Sequence, residues 1–279
     1  MRFSRIANAL YCRPWAIEGG VYAAMHDVFM SRILGDKLDA SVQIFGQTIE
    51  YDAPYDYEVI DRVAVVKVSG ILDKRLDAID KACMGATDYD DVSLAVSMAN
   101  ADGQVDAIVI DFDTPGGSVV GLAESADMLS ESVKPVVAYT ETQMASAGYF
   151  MATGADLIVC SPSAEVGCIG TLQTWVDVSK AYEMMGMKRE MVSSGKYKGM
   201  GWPGASLTDD QRAHLQSEVD ALSDEFKGRI LSARGDVPAD AMEGQMHRSQ
   251  NAMDAGLIDI IGGLSVALET ARELARTGE

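Results

Sequence analysis

The sequence predicts an α/β fold: a mostly parallel sheet of strands alternating with helices, which pack on its faces as crossovers. Three observations carry this expectation. Short β-branched runs recur, as in Val63-Ala64-Val65-Val66-Lys67-Val68 and residues 105–110. Stretches with helical spacing of apolar residues separate them, as at 90–100 and 122–129. A hydrophobic fraction of 48% over 279 residues is enough to bury a real core.

The elements follow in order. Residues 16–38 carry Val21, Met25, Val28, Phe29 and Ile33 at helical spacing, and Gly35 is a plausible stop. Residues 39–60 are acidic and aromatic, including Tyr51-Asp52-Ala53-Pro54-Tyr55-Asp56-Tyr57. Residues 1–60 are therefore expected to form an N-terminal helical segment and acidic linker, a solvated tail or a partner-docking arm. Residues 61–279 are expected to form the main domain. Within it, strands are expected at 63–68, 105–110, 135–139 and 156–160, and helices at 90–100 and 122–129. An apolar run after Ser146 is too short for a membrane span and suits a buried helix. Further on, 179–185 reads as a short helix and 188–192 as a strand. A long helix then opens on a capping box, Thr208 to Gln211, and its apolar stripe runs Leu215, Val219, Leu222, Phe226, Ile230. Gly235 is a good stop, and a last helix begins at Leu264.

Composition removes several function classes. A net charge of −19 argues against a nucleic-acid-binding surface, where Lys and Arg must neutralise phosphate. Cys12, Cys83, Cys160 and Cys168 form no CxxC pair, and there are only three histidines, so no metal site and no cofactor is expected. Neither a signal peptide nor a membrane helix is legible, which predicts an intracellular, membrane-free protein.

Three stretches could carry chemistry. Ser146 lies among small residues, Ala145-Ser146-Ala147-Gly148, between an apolar strand and a helix. There, free N–H groups and the helix dipole favour an oxyanion, which suits a serine nucleophile. An ordinary helix N-cap looks the same. Asp113-Thr114-Pro115-Gly116-Gly117 follows a buried strand, and its glycines allow backbone N–H groups to approach a ligand, as an oxyanion hole requires. A tight strand-to-helix turn also wants these residues. His26, His214 and His247 have no setting that suggests a general base. Lys196 and Lys198, flanked by Gly195, Gly199 and Gly201, are alternatives if burial favours the neutral amine.

Taken together, Asp-Thr-Pro-Gly-Gly, then Ala-Ser-Ala-Gly, then Ser194-Gly195-Lys196-Tyr197-Lys198 resemble the signal-peptide-peptidase-A family of serine proteases, family S49. The resemblance runs from about Val63 to Leu264 and includes Gly167-Cys168-Ile169-Gly170 and Asp254-Ala255-Gly256-Leu257-Ile258-Asp259. It implies a crotonase/Clp-like fold and a Ser-Lys dyad. Ser146 would be the nucleophile and Lys198, which closes Ser-Gly-x-x-Lys, the general base. The backbone N–H of Gly116 or Gly117, with that of Ala147, would hold the oxyanion. The family usually has serine where Cys168 stands, so this thiol would support the dyad less well, or serve as a rival nucleophile.

The spelling Asp111-Phe112-Asp113-Thr114-Pro115-Gly116-Gly117 and the stretch Arg13-Pro14-Trp15-Ala16-Ile17 look like tailed-phage head-maturation proteases. That implies scaffold, portal and capsid proteins as substrates, a homo-oligomeric ring in which neighbouring protomers can contribute Ser and Lys to one site, a separate scaffold protein or an overlapping gene for one, and residence in the prohead within the host cytoplasm. Competing expectations are a soluble bacterial peptidase of the same family, a crotonase-type acyl-CoA enzyme, and a non-catalytic capsid-assembly component.

Overall fold

The computed structural model describes residues 14–23, 25–26, 57–76, 81, 85–188, 190–202 and 206–278. The expected helix over 16–38 and the linker over 39–56 fall largely outside these residues. What is described of the N-terminal segment differs from a solvated tail. Strand β1 (Trp15–Ile17) is fully buried and precedes a helical turn at 19–23.

The main sheet is mostly parallel, as expected. Strand β2 (Glu58–Ile60) pairs antiparallel with β3 (Val63–Ser69), and β3 runs parallel to β6 (Ala107–Thr114). Strand β6 runs parallel to β8 (Val136–Ala145), a ten-residue strand that ends at Ser146. The first half of β8 pairs with β9 (Leu157–Cys160) and its last three residues with β10 (Glu165–Gly167), both parallel. Strand β11 (Met246–Arg248) closes one edge, and β12 (Ile260–Ile261) pairs with β9. A second sheet has the order β1, β7 (Gly116–Ser118), β4 (Leu72–Asp73), β5 (Thr87–Asp88).

The unbroken apolar run in β3 is explained by cover on both faces. Val63 and Val65 face the C-terminal helix α7 (Leu264–Thr277) through Ala267, Leu268 and Ala271. Val66 and Val68 face the opposite core with helices α1 (Tyr89–Ala101), α2 (Leu122–Ser130) and α3 (Ala147–Ala152). Helix α1 begins where Asp88 accepts from the Asp90 N–H at 2.9 Å. After α4 (Ser179–Met184), the long helix α5 (Asp209–Arg234) opens on the expected capping box and ends at Gly235, whose φ is 76°. Only Phe226 and Ile230 of its apolar stripe are fully buried.

The strand expected at 188–192 is absent among the described residues. Its apolar spacing has no neighbouring strand to supply backbone partners, and a lone strand leaves its N–H and C=O groups unpaired. The described residues here have no regular structure, and Met191 and Val192 are exposed.

Helix α6 (Ser249–Asp254) leads into the 254–259 motif, which acts as a lock. Asp259 accepts two bonds from Arg234 at 2.7 Å each and one from the Ile158 N–H at 2.7 Å, while Arg234 Nε reaches the Gly256 carbonyl at 3.0 Å. Both side chains of the ion pair are mostly shielded from water. Removing one member of such a pair leaves the other charge buried, so Asp259→Ala is expected to cost roughly 3 kcal/mol in urea unfolding. A loss no larger than that of a surface substitution would remove this role.

Candidate active site

Ser146 sits at the turn from β8 into α3 with φ 51° and ψ −113°, a conformation that non-glycine residues rarely adopt. Its own N–H is fixed to the Gly167 carbonyl at 2.7 Å, and its carbonyl accepts from Phe150 at 2.9 Å. The residue is fully buried, and its hydroxyl has no hydrogen-bond partner among the described residues. A buried hydroxyl without a partner costs free energy, and it sits on a turn that itself carries strain. A serine held on a sharp strand-to-helix turn with its hydroxyl unbonded suits a nucleophile, whereas an N-cap would bond the first helical N–H groups. No such cap bond forms here.

The glycine turn lies against this serine. Gly116 adopts φ 105°, and a Cβ added to it would lie 2.9 Å from Ser146 Cβ. Gly117 is required for a different reason: a Cβ there would lie 1.9 Å from the Leu72 carbonyl oxygen of β4. Thr114 fixes the turn, donating to the Gly70 carbonyl at 2.6 Å and accepting from the Gly116 N–H at 3.0 Å. Of the two glycines named from the sequence, Gly116 thus already has its N–H engaged.

Cys168 also has a positive φ, 54°, and its N–H is held by the Gln245 carbonyl at 2.8 Å. Its thiol is near enough to Ser146 for the hydroxyl to favour the thiolate slightly, but the geometry completes no hydrogen bond from the serine. Burial dominates and raises the thiol pKa, with the Glu18 carboxylate adding to the rise. The reactive species of cysteine is the thiolate, so this environment works against Cys168 as the nucleophile.

The structure therefore brings Ser146, Ala147, Gly116, Gly117 and Cys168 together, but not the lysines. Lys198 lies in an exposed turn, its N–H bonded to the Gly195 carbonyl at 3.1 Å. Lys196 pairs with Asp210 at 3.2 Å and lies over the Tyr197 ring. Two of the three histidines are engaged elsewhere: His214 stacks on Tyr197, and His247 Nε2 lies 2.9 Å from the Ala241 carbonyl. Among the described residues, no cluster of His, Cys, Asp and Glu could hold a metal ion.

Peptidase family S49 matches residues 128–277, just over half of the chain. The chain belongs to peptidase family S49. Capsid assembly protease C of Escherichia phage lambda is 32% identical over 222 residues, covering 78% of this chain and 50% of that protein. Head-tail preconnector protein GP5 of Enterobacteria phage P21 is 26% identical over 287 residues, covering 95% of this chain and 56% of that protein. This S49 chain thus spans about half the length of these curated relatives. Among solved structures it is similar to a ClpP1 variant from Listeria monocytogenes, with a TM-score of 0.48 and 14% identity over 73% of this chain and 94% of that one. No helix among the described residues is long and apolar enough to cross a membrane.

Sequence reasoning missed two features of this site. One is the capture of the Gly116 N–H by Thr114, for which the Asp-Thr-Pro-Gly-Gly spelling held a usable signal in the threonine. The other is the approach of residues 15–18 to Cys168 and Gly116, which no local pattern announces.

Proposed function

We propose that this chain is a serine endopeptidase that acts on head proteins during phage prohead maturation. The observation that carries the catalytic part is the buried, unpartnered Ser146 hydroxyl on its left-handed turn beside the glycine loop. In this reading Ser146 Oγ attacks the peptide carbonyl while a neutral lysine amine takes its proton. The N–H groups of Gly117 and Ala147 receive the negative oxygen of the tetrahedral intermediate. The lysine then protonates the leaving amine, and water releases the acyl group by the same route. No cofactor enters these steps.

Lys198 is the proposed base, supplied to Ser146 by a neighbouring copy of the chain in a homo-oligomeric ring. Two observations support this. Lys198 is exposed, and its side chain makes no bond among the described residues. Around it in sequence, Met184, Met185, Met191, Val192 and Trp202 are exposed as well, an amount of apolar surface that suits an interface better than water. Cleavage that depends on assembly is then expected: specific activity falls on dilution, whereas a self-sufficient monomer would keep it constant.

The head-protein substrates rest on similarity to the phage lambda and phage P21 proteins, whose names place them in capsid assembly and at the head-tail preconnector. We assign residues 61–279 to the peptidase unit and residues 1–60 to an attached segment that contributes β1 to it. Co-expression with candidate scaffold, portal and capsid proteins tests this part. Processing of at least one of them inside assembling proheads is expected. Intact head proteins alongside cleavage of unrelated peptides would point to a general S49 peptidase instead.

A further inference from the structure

A protease that adds its substrate as a strand must leave backbone groups free on both sides of a channel beside its nucleophile. Beside Ser146 that place is filled by the chain's own residues 15–17. Strand β1 is antiparallel to β7, with Trp15 opposite Ser118, Ala16 opposite Gly117 and Ile17 opposite Gly116. The Glu18 N–H extends the pairing to the Pro115 carbonyl at 2.8 Å. On the other edge, Trp15 exchanges two backbone bonds with Leu172, each 2.9 Å. The strand is held from both sides, as an extended peptide would be.

Its register matters more than its presence. Alternate residues of an antiparallel strand turn their backbone groups to opposite edges. Trp15 is turned to Leu172, so Ala16 is turned to Gly117 and directs its carbonyl at the N–H assigned above to the oxyanion. A Cβ on Gly116 would lie 2.3 Å from the Ala16 carbonyl oxygen, 2.9 Å from Ser146 Cβ and 3.0 Å from Ile17 Cα. The Ala16–Ile17 peptide and the nucleophile therefore converge on one glycine.

The side chains alternate as well. Trp15 and Ile17 pack with Tyr22 and Ile71. Ala16 points the other way, to the mouth of a cavity of about 50 Å³ whose apolar lining includes Val119, Leu122, Phe150, Leu222 and Phe226. That space exceeds what a single water needs, so it accepts a longer aliphatic side chain than alanine. Glu18 then closes the next turn by accepting from the Gly20 and Val21 N–H groups.

We propose that residues 15–17 are an intramolecular, substrate-like occupant of the peptide channel, which keeps the protease latent until the strand is displaced. This rests on the peptidase reading of Ser146, and binding rather than turnover is the way to test it.

The test uses the full chain carrying Ser146→Ala, so that nothing is cleaved, and a fluorescein-labelled peptide of residues 13–18 followed by anisotropy. Two displaced-strand variants are compared with this parent. Ala16→Glu drives a carboxylate into the apolar cavity, and the pair Trp15→Gly and Ile17→Gly removes the anchoring side chains without adding charge. A channel open in one molecule in ten binds an incoming peptide about tenfold more weakly than a free one. The variants are therefore expected to bind the peptide at least roughly tenfold more tightly than the parent, and a peptide with glutamate at the alanine position is expected not to bind. Folded variants that bind no better than the parent would overturn the proposal. So would unfolding of both variants, since β1 would then be a fixed part of the fold. The peptidase reading is judged separately, by Ser146-dependent cleavage, and either can fail without the other.

Discussion

Replacing Ser146 by alanine is expected to reduce cleavage by at least about 10⁴-fold while leaving the fold as stable as before, or more so. The first half follows from the proposed role of Ser146 Oγ in forming the acyl bond, since a serine protease loses up to about 10⁶-fold when its nucleophile goes. The second half follows from the site's own physics. The buried Ser146 hydroxyl has no hydrogen-bond partner among the described residues. Removing a group in that condition relieves a desolvation cost on the order of 1–3 kcal/mol. The strain of φ 51° remains, because alanine also has a Cβ. Calorimetry and a cleavage assay on the same sample check both halves. A large loss of stability would mean that the hydroxyl is structural, which is what an N-cap would show.

Lys198→Ala is expected to lower cleavage by about 10²- to 10⁴-fold, the usual range for a general base. Its effect on stability is expected to lie within about 0.5 kcal/mol, since the side chain is exposed in a single copy. The informative step is to mix the two inactive variants. If each site takes its serine from one copy and its lysine from the next, an equal mixture regenerates about a quarter of complete sites on random assembly. Recovery of activity on mixing supports the shared site. No recovery, with both variants assembled normally, would place the base within the same chain as the serine or on another residue.

Much of this was legible in the sequence, for physical reasons that can be named. The valine runs of β3 and β6 announced strands covered on both faces, and Thr208 to Gln211 announced the start of α5 through a capping pattern that satisfies its own N–H groups. Ser146 stood out because small residues surround it where a strand meets a helix. What stayed hidden depends on partners remote in sequence. Strand β1 has three residues and takes its backbone bonds from β7 and from Leu172, so its sequence reads equally well as the start of a helix. Residues 188–192 have strand-like spacing but no edge to join. The positive φ of Ser146 and Cys168 could not be read either, because neither is a glycine and both are held there by bonds to Gly167 and Gln245. Choosing Lys198 over Lys196 came from the family pattern, since both lysines lie in the same exposed turn.

The measurement that tests the central claim most directly is mass spectrometry of candidate scaffold and portal proteins after incubation with wild type, Ser146→Ala and Lys198→Ala. Fragments with defined ends are expected from wild type alone. The same fragments from Ser146→Ala would contradict the claim and move the nucleophile elsewhere, with Cys168 the first residue to replace.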